Sequence, residues 1–134
     1  MKALVVDDSR SMRSIVSRIL RTSGIDDIVQ AGDGVEALDV MESAGEELPD
    51  IALVDWHLPN MNGLEFVSAV RRRPEWRQMT IMMVTTENEQ GQIVRALAAG
   101  AHEYLIKPFT PDALADKLAI LGFAVMTAPE GELA

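Results

Sequence analysis

The feature that most limits the fold is an alternation, repeated five times, between a short apolar run and a longer segment with helical spacing. This pattern is typical of an open parallel α/β sheet, in which a helix follows each strand. The first run, residues 3–6, is apolar throughout, as expected for a strand covered on both faces. The predicted strands are residues 3–6, 27–31, 51–54, 80–84 and 103–106.

Helical spacing and helix-end signals predict a helix after each strand. Gly24, Pro74 and Gly100 are expected to end the first, third and fourth helices. Thr110 as an N-cap, with Pro111 at the first helical position, predicts the start of the last helix. In the first helix the predicted buried stripe consists of Met12, Ile15, Val16, Ile19 and Leu20.

Composition limits the classes of function. A net charge of −9 argues against nucleic acid as the main partner, because duplex binding depends on clustered cations. The one basic run, Arg71-Arg72-Arg73, lies at a predicted helix end, where the helix dipole favours a capping role. The chain has no cysteine, which excludes disulfides and thiolate metal sites. With neither a membrane-spanning apolar run nor a signal peptide pattern, we expect a cytoplasmic protein.

A length of 134 residues suits one domain. We expect residues 1–126 to form it and residues 127–134 to be a loose tail. Residues 122–126 are open to two interpretations, a packed extension or a contact with a partner. Trp76 is expected in a surface loop and Trp56 at a cleft margin, while Met82 and Met83 are expected in the core.

Polar side chains follow four of the five predicted strands. In open α/β sheets, ligands bind beyond the carboxyl ends of the strands, so these side chains are expected to converge at one edge. They are Asp7 and Asp8 after the first strand, Asp55 after the third, Thr85 and Thr86 after the fourth, and Lys107 after the fifth.

Three carboxylates in one cleft repel one another, and a divalent cation removes the conflict. Mg²⁺ suits such a site because it prefers hard oxygen ligands and binds through carboxylates, water and phosphate. An aspartate beside the cation can attack a phosphoryl group and form an aspartyl phosphate. Lys107 can neutralise the phosphoryl oxygens, and the Thr85 hydroxyl can donate a hydrogen bond to one of them.

The motifs at these positions resemble those of response-regulator receiver domains, close to the single-domain chemotaxis regulators of the CheY type. The resemblance covers residues 2–121 and rests on order and spacing together rather than on any single element. The matching residues are Asp7-Asp8-Ser9, Asp55, the run Leu58-Pro59-Asn60-Met61-Asn62-Gly63, Thr85, Tyr104 and Lys107-Pro108-Phe109. The resemblance implies a flavodoxin-like, doubly wound (βα)5 fold with a five-stranded parallel sheet in the order 2-1-3-4-5.

The resemblance also implies roles for individual residues. Asp55 is the expected phosphoacceptor, with Asp8 as a direct Mg²⁺ ligand and Asp7 acting largely through bound water. The backbone carbonyl of His57 is the expected further ligand, and Lys107 is expected to bridge to the phosphoryl oxygens. Thr85 and Tyr104 are the expected switch residues, the first moving toward the phosphoryl group and the second turning inward behind it. The Lys107–Pro108 peptide bond is expected to be cis.

Simpler interpretations of these residues stand beside the functional ones. Asp8 or Ser9 can cap the first helix, and Tyr104 can be a half-buried packing residue. The imidazole of His57 need not point into the site. Together with Glu87, however, His57 flanks the expected phosphoryl position, so both side chains are candidates for tuning the access of hydrolytic water.

The resemblance implies a stand-alone response regulator of a two-component system, of the kind that serves chemotaxis. Its donor is expected to be a histidine kinase. No output domain is expected after residue 121, so the signal is expected to leave through residues 90–121 to a protein target such as a flagellar motor switch protein. A phosphorelay intermediate that passes phosphate to a histidine phosphotransferase fits the same pocket.

Enzymatic turnover of a separate substrate is not expected. A metal-dependent phosphatase working through an aspartyl phosphate fits less well, because Asp7-Asp8-Ser9 is not the Asp-x-Asp-x-Thr that haloacid-dehalogenase-type phosphatases carry.

Overall fold

The computed structural model describes residues 1–123, in which five parallel strands alternate with five helices. The strands are β1 (Lys2–Val6), β2 (Asp27–Ala31), β3 (Ile51–Val54), β4 (Thr80–Thr85) and β5 (Glu103–Ile106). The helices are α1 (Arg10–Thr22), α2 (Gly34–Ser43), α3 (Gly63–Arg71), α4 (Gln90–Ala99) and α5 (Pro111–Ile120). A short 3-10 helix, Pro74–Trp76, lies between α3 and β4.

The strand order is β2-β1-β3-β4-β5, which confirms the expected doubly wound sheet. The chain moves outward from β1 to β2 and then returns to β3 on the other side of β1. Because the direction of winding changes between β1 and β3, a crevice opens beyond the carboxyl ends of these two strands. The topology therefore places the end of β1, with Asp7, beside the end of β3, with Asp55.

Alternate side chains of the central strands enter two separate cores. On one face Leu4, Val54 and Met83 pack against α2, α3 and α4. On the other face Val5 and Met82 pack against α1 and α5. Met82 and Met83 are fully buried, as predicted, because adjacent residues of a strand point to opposite faces and both faces of β4 are covered.

The helix-end signals act as predicted. Gly24 and Gly100 have backbone φ values of 91° and 126°, the left-handed region that glycine adopts without a steric penalty. The Ser9 hydroxyl caps α1 by accepting a hydrogen bond from the Met12 amide at 3.1 Å. The Thr110 hydroxyl caps α5 in the same way, from the Ala113 amide at 3.1 Å. The Lys107–Pro108 peptide bond is cis, as the family resemblance implied.

The stripe predicted for α1 is wrong at one position. Ile15 is 42% exposed, whereas Ser17 is buried in the same helix. The Ser17 hydroxyl accepts a hydrogen bond from the side-chain amide of Gln30 at 3.3 Å, which makes its burial tolerable. The core-facing surface of α1 is therefore rotated relative to the hydrophobic stripe, and hydrophobicity alone could not show this.

The prediction that Trp76 lies in a surface loop is also wrong. The short helix that begins at Pro74 turns the indole inward, and Trp76 packs in the core beside Met79 with only 4% exposure. The Arg73 guanidinium covers the ring from outside at 4.0 Å from its centroid. Trp56, expected at a cleft margin, is 6% exposed and belongs to the same core.

Arg71 caps the end of a neighbouring helix rather than its own. Two of its guanidinium nitrogens donate to the Gly100 carbonyl at the end of α4, at 3.1 and 2.9 Å. A third nitrogen donates to the Arg77 carbonyl at 3.2 Å. The predicted capping role is thus correct in kind, but the carbonyl groups belong to other parts of the chain.

The chain continues past α5 into the second core, where Phe123 is 9% exposed. Of the two interpretations for residues 122–126, packing thus applies to Phe123. Residues 124–126 and the predicted tail at 127–134 lie outside the described residues. Within residues 1–123, no helix has the length and apolar character needed to cross a membrane.

His102 joins the start of β5 to β4. Its Nδ1 accepts a hydrogen bond from the Ile81 amide at 3.1 Å, so the neutral ring carries its proton on Nε2. Partial burial and the nearby Arg71 charge lower the pKa of His102 below its usual value. Protonation of Nδ1 would break the bond to Ile81 and place a second cation beside Arg71.

This arrangement predicts a stability that depends on pH. The folded state binds the proton more weakly than the unfolded chain, so stability is full above the unfolded pKa of about 6.5 and falls as pH decreases below it. His102→Asn keeps an acceptor but cannot titrate, so its free energy of unfolding should fall less between about pH 7.5 and pH 5.5 than that of the wild type. Urea unfolding at both pH values measures this, and equal losses in the two proteins would contradict it.

Candidate functional site

The backbone hydrogen bonds of the sheet continue one residue beyond the ends of three strands. The Asp7 amide donates to the Ala31 carbonyl at 3.1 Å, and the Asp55 amide donates to the Val6 carbonyl at 3.0 Å. The Lys107 amide donates to the Thr85 carbonyl at 2.8 Å. These residues therefore belong to the hydrogen-bonded edge of the sheet rather than to free loops. The sheet thus fixes the positions of the Cα atoms from which their side chains extend.

Lys107 lies between two buried carboxylates. Its ammonium Nζ is 2.7 Å from Oδ2 of Asp7 and 3.0 Å from Oδ2 of Asp55. The three side chains are only 12%, 6% and 9% exposed, so water screens these charges weakly. Burial disfavours the charged amine, but the hydrogen bonds that the ammonium donates to Asp7 and Asp55 outweigh it and raise the pKa of Lys107 above its ordinary value. The ammonium is therefore charged at neutral pH.

Asp8 completes an acidic cluster with Asp7 and Asp55. Each residue offers a carboxylate oxygen, and these oxygens lie within 4.8 Å of one another. Asp8 is exposed while the other two are buried, so the cluster opens to solvent on one side. Three hard oxygen donors at this separation fit a divalent cation, and the single ammonium of Lys107 leaves their total charge incompletely neutralised.

Each buried carboxylate also accepts a hydrogen bond from the backbone two residues later. Oδ1 of Asp7 accepts from the Ser9 amide at 2.9 Å, and Oδ1 of Asp55 accepts from the His57 amide at 3.2 Å. In both residues Oδ2 is the atom that faces Lys107. The two carboxylates are thus held by one oxygen and present the other to the centre of the site.

Thr85 ends β4 at the same edge and is fully buried. Its hydroxyl oxygen accepts a hydrogen bond from the Glu87 amide at 3.2 Å, an interaction that leaves the hydroxyl proton able to donate elsewhere. The structure therefore orients Thr85 through the loop that follows β4, which also carries Glu87.

Tyr104 and His57 both contact Glu87. The Tyr104 hydroxyl donates to the Glu87 backbone carbonyl at 2.8 Å, and the residue is 8% exposed. Burial, with the negative charges of Glu87 and Asp55 adding to it, raises the pKa of Tyr104 to about 12, so the hydroxyl stays a donor at neutral pH. On the other side, Nε2 of His57 is 3.3 Å from a Glu87 carboxylate oxygen. The His57 side chain is 56% exposed and lies outward, as expected if its imidazole is not a ligand.

The residues selected from the sequence therefore assemble around one edge of the sheet. The loop after β3 is fixed there by Gly63, for which the sequence motif alone suggested no role. A Cβ atom at Gly63 would collide with the Asp55 carbonyl, so the start of α3 packs directly on the backbone of Asp55.

Prediction from the sequence missed Arg13 altogether, although its Nη1 donates to the Asp7 carbonyl at 2.6 Å. Its only sequence signal was its place near Asp7-Asp8 on a helix.

Comparisons with known proteins agree with this geometry. A family model described as "Response regulator receiver domain" matches residues 3–119. A chemotaxis protein CheY homolog of Campylobacter jejuni is 45% identical, covering 88% of this chain and 89% of its own. Chemotaxis protein CheY1 of Helicobacter pylori is 39% identical, with 90% and 96% covered. The solved structure of chemotaxis response regulator CheY4 of Vibrio cholerae is 38% identical, covers 90% of this chain and 97% of its own, and superposes with a TM-score of 0.79.

The ion pairs of Lys107 predict a large effect of its removal. Lys107→Met leaves Asp7 and Asp55 buried without their cation and should lower the free energy of unfolding by about 3 kcal/mol near neutral pH in EDTA. Asp55→Asn in the Lys107→Met background removes one of the repelling charges and should restore part of this loss. Chemical denaturation measures both changes.

Lys117→Met is the matched control. Lys117 pairs with Glu103 at 3.0 Å, but these side chains are 31% and 23% exposed. Because water screens that pair, its removal should cost less than about 1 kcal/mol. Equal losses of unfolding free energy in the Lys107 and Lys117 variants would contradict the argument that burial strengthens the ion pairs of Lys107.

Proposed function

Because the chain belongs to the response regulator receiver family, we propose that it is a phosphorylation-controlled switch of chemotaxis-type signalling, with Asp55 as the phosphoacceptor. The observation that carries this proposal is the contact of the Lys107 ammonium with both Asp7 and Asp55, two members of an acidic cluster. The names of the relatives above favour a chemotactic role over a phosphorelay role.

The proposed reaction moves one phosphoryl group. A carboxylate oxygen of Asp55 forms a bond to phosphorus, while the bond from phosphorus to a histidine of the kinase breaks and the histidine nitrogen keeps the electron pair. Lys107, already beside Oδ2 of Asp55, stabilises the negative charge of the transferred oxygens. The Thr85 hydroxyl donates a hydrogen bond to one of these oxygens. The protein would act as phosphoacceptor and turn over no separate substrate.

Mg²⁺ is the proposed cofactor, held by Asp7, Asp8, Asp55 and the backbone carbonyl of His57. Such an ion supplies charge neutralisation between the carboxylates and the incoming phosphoryl group. The donor set described above suits it, because all the side-chain donors are carboxylate oxygens. The side chains of His57 and Glu87 are proposed to control the approach of hydrolytic water, supported by their contact at 3.3 Å.

The proposed output surface is the α4–β5–α5 face, residues 90–121. Val94 and Leu97 are 55% and 43% exposed on α4, which offers apolar area to a protein partner. Thr85 and Tyr104 link this face to the site, since both form hydrogen bonds with Glu87. Phosphorylation would shift an equilibrium between two arrangements of this region, and the target would be a protein such as a flagellar motor switch component.

The first test of this function is phosphorylation by a small donor. Incubation with acetyl phosphate and Mg²⁺ should add the mass of one phosphoryl group, because the donor transfers it to Asp55 and leaves as acetate. Asp55→Asn removes the nucleophile and should show no adduct. Intact-mass spectrometry measures both.

Asp39→Asn provides a matched control, since Asp39 is an exposed acid of α2. It should be phosphorylated like the wild type. A wild type without adduct, or an adduct that persists in Asp55→Asn, would contradict the assignment of the phosphoacceptor.

The switch can be tested with beryllofluoride, which mimics a bound phosphoryl group. With Mg²⁺ it should change the amide NMR signals of α4 and β5 in addition to those around Asp55. Thr85→Ala should keep the changes around Asp55 but reduce those in α4, because the link through the hydroxyl is lost. Equal responses of α4 in both proteins would contradict the role of Thr85.

A further inference from the structure

Two loops at the sheet edge are joined by a pair of side chains outside the proposed site. Asp33 precedes α2, and Asn60 lies in the loop between Asp55 and α3. The amide Nδ2 of Asn60 donates to Oδ2 of Asp33 at 2.6 Å. The acceptor is ionised, and hydrogen bonds to charged groups are stronger than those between neutral ones.

Asp33 is itself held in place. Its Oδ1 caps α2 by accepting from the Glu36 amide at 2.8 Å. This bond, and then the one from Asn60, lower the pKa of Asp33, so the carboxylate is ionised at neutral pH. The two carboxylate oxygens therefore act separately, since Oδ1 fixes the helix and Oδ2 fixes the loop.

The start of α2 also packs directly against the loop that contains Asn60. The Gly34 amide donates to the Met61 carbonyl at 3.1 Å. A Cβ atom at Gly34 would lie 2.5 Å from that carbonyl oxygen and 2.7 Å from the Met61 side chain. There is thus no space between α2 and residues 60–61, and the two segments contact each other directly.

Asn60 needs such support because of its backbone conformation. Its φ is 68°, the left-handed region, and it is the one non-glycine residue among residues 1–123 with a positive φ. This region is unfavourable for most side chains, although asparagine and aspartate tolerate it better than others. Residues 57–59 lie between Asp55 and this bend, and this segment includes the His57 peptide group.

We propose that Asp33 and Asn60 are positioning residues that set the Mg²⁺ affinity of the site by orienting the His57 carbonyl, an inference that rests on the proposed function above. Within residues 1–123, neither side chain forms a hydrogen bond with Asp7, Asp8 or Asp55. They act through the loop, as partners of metal ligands commonly do.

Exchanging the two side chains tests this role. Asp33→Asn keeps the cap, since asparagine is an equally good N-cap, but it presents an amide NH2 to Asn60 in place of the carboxylate oxygen, so the charge-assisted hydrogen bond is lost. Asn60→Asp opposes two carboxylates. The double variant Asp33→Asn/Asn60→Asp restores a donor facing an acceptor, retains a residue that tolerates positive φ, and has the net charge of the wild type.

The expected result is a loss of Mg²⁺ affinity of about tenfold in each single variant and recovery in the double variant. Titration calorimetry with MgCl2 measures the affinity. Asn60→Asp separates positioning from simple electrostatics, because an added negative charge by itself should strengthen cation binding. Asp39→Asn, which removes an exposed charge from the same helix, should bind Mg²⁺ like the wild type.

A second measurement needs no metal. In Mg²⁺-free protein, the amide NMR signals of His57 and Leu58 should move in both single variants and return in the double variant. Tighter binding by Asn60→Asp, or a double variant as weak as the single ones, would overturn the positioning role while leaving the proposed function intact. A wild type that binds no Mg²⁺ would overturn the proposed function and the positioning role with it.

Discussion

The repulsion among Asp7, Asp8 and Asp55 is the constraint on which the rest of the site depends. The fold forces these carboxylates together, because β1 and β3 are neighbours and their carboxyl ends meet at one edge. Lys107, delivered by β5 from the far side of β4, supplies one compensating charge. One ammonium cannot balance three carboxylates, so the cluster keeps a net negative charge that a bound cation, or a change of charge at Asp55, would alter.

Backbone hydrogen bonds and close packing around the cluster hold its members in place. Ladder hydrogen bonds fix Asp7 and Asp55, and the amides of Ser9 and His57 each hold one carboxylate oxygen. Gly63 brings α3 against the main chain of Asp55. Sheet and helix ends therefore support these residues directly.

The sequence predicted the sheet, and the convergence of polar side chains at its edge, because both depend on short-range patterns. Apolar runs marked the strands, and the polar residue after each run marked the edge, so Asp55 and Lys107 were found without knowledge of any contact. Burial set by tertiary packing was not predictable in this way. Ile15 has the spacing of a core residue but faces solvent, and Trp76 follows a proline yet turns inward. The contacts of Arg71 and Asp33 join segments distant in sequence, and that of Arg13 joins a helix to the end of the preceding strand; periodicity reports neither kind of contact.

The position of Glu87 between His57 and Tyr104 has a thermodynamic consequence. Its carboxylate contacts His57 at the mouth of the site, and its carbonyl holds the Tyr104 hydroxyl near the start of the α4–β5–α5 face. A protein that binds this face and requires a different arrangement of Tyr104 would break its hydrogen bond to Glu87, the residue that also faces His57. Coupling free energies between two binding sites are reciprocal. If occupancy of the acidic site strengthens the binding of such a protein by some factor, the bound protein strengthens occupancy of the acidic site by the same factor. The target protein would then influence how readily the acidic site becomes occupied.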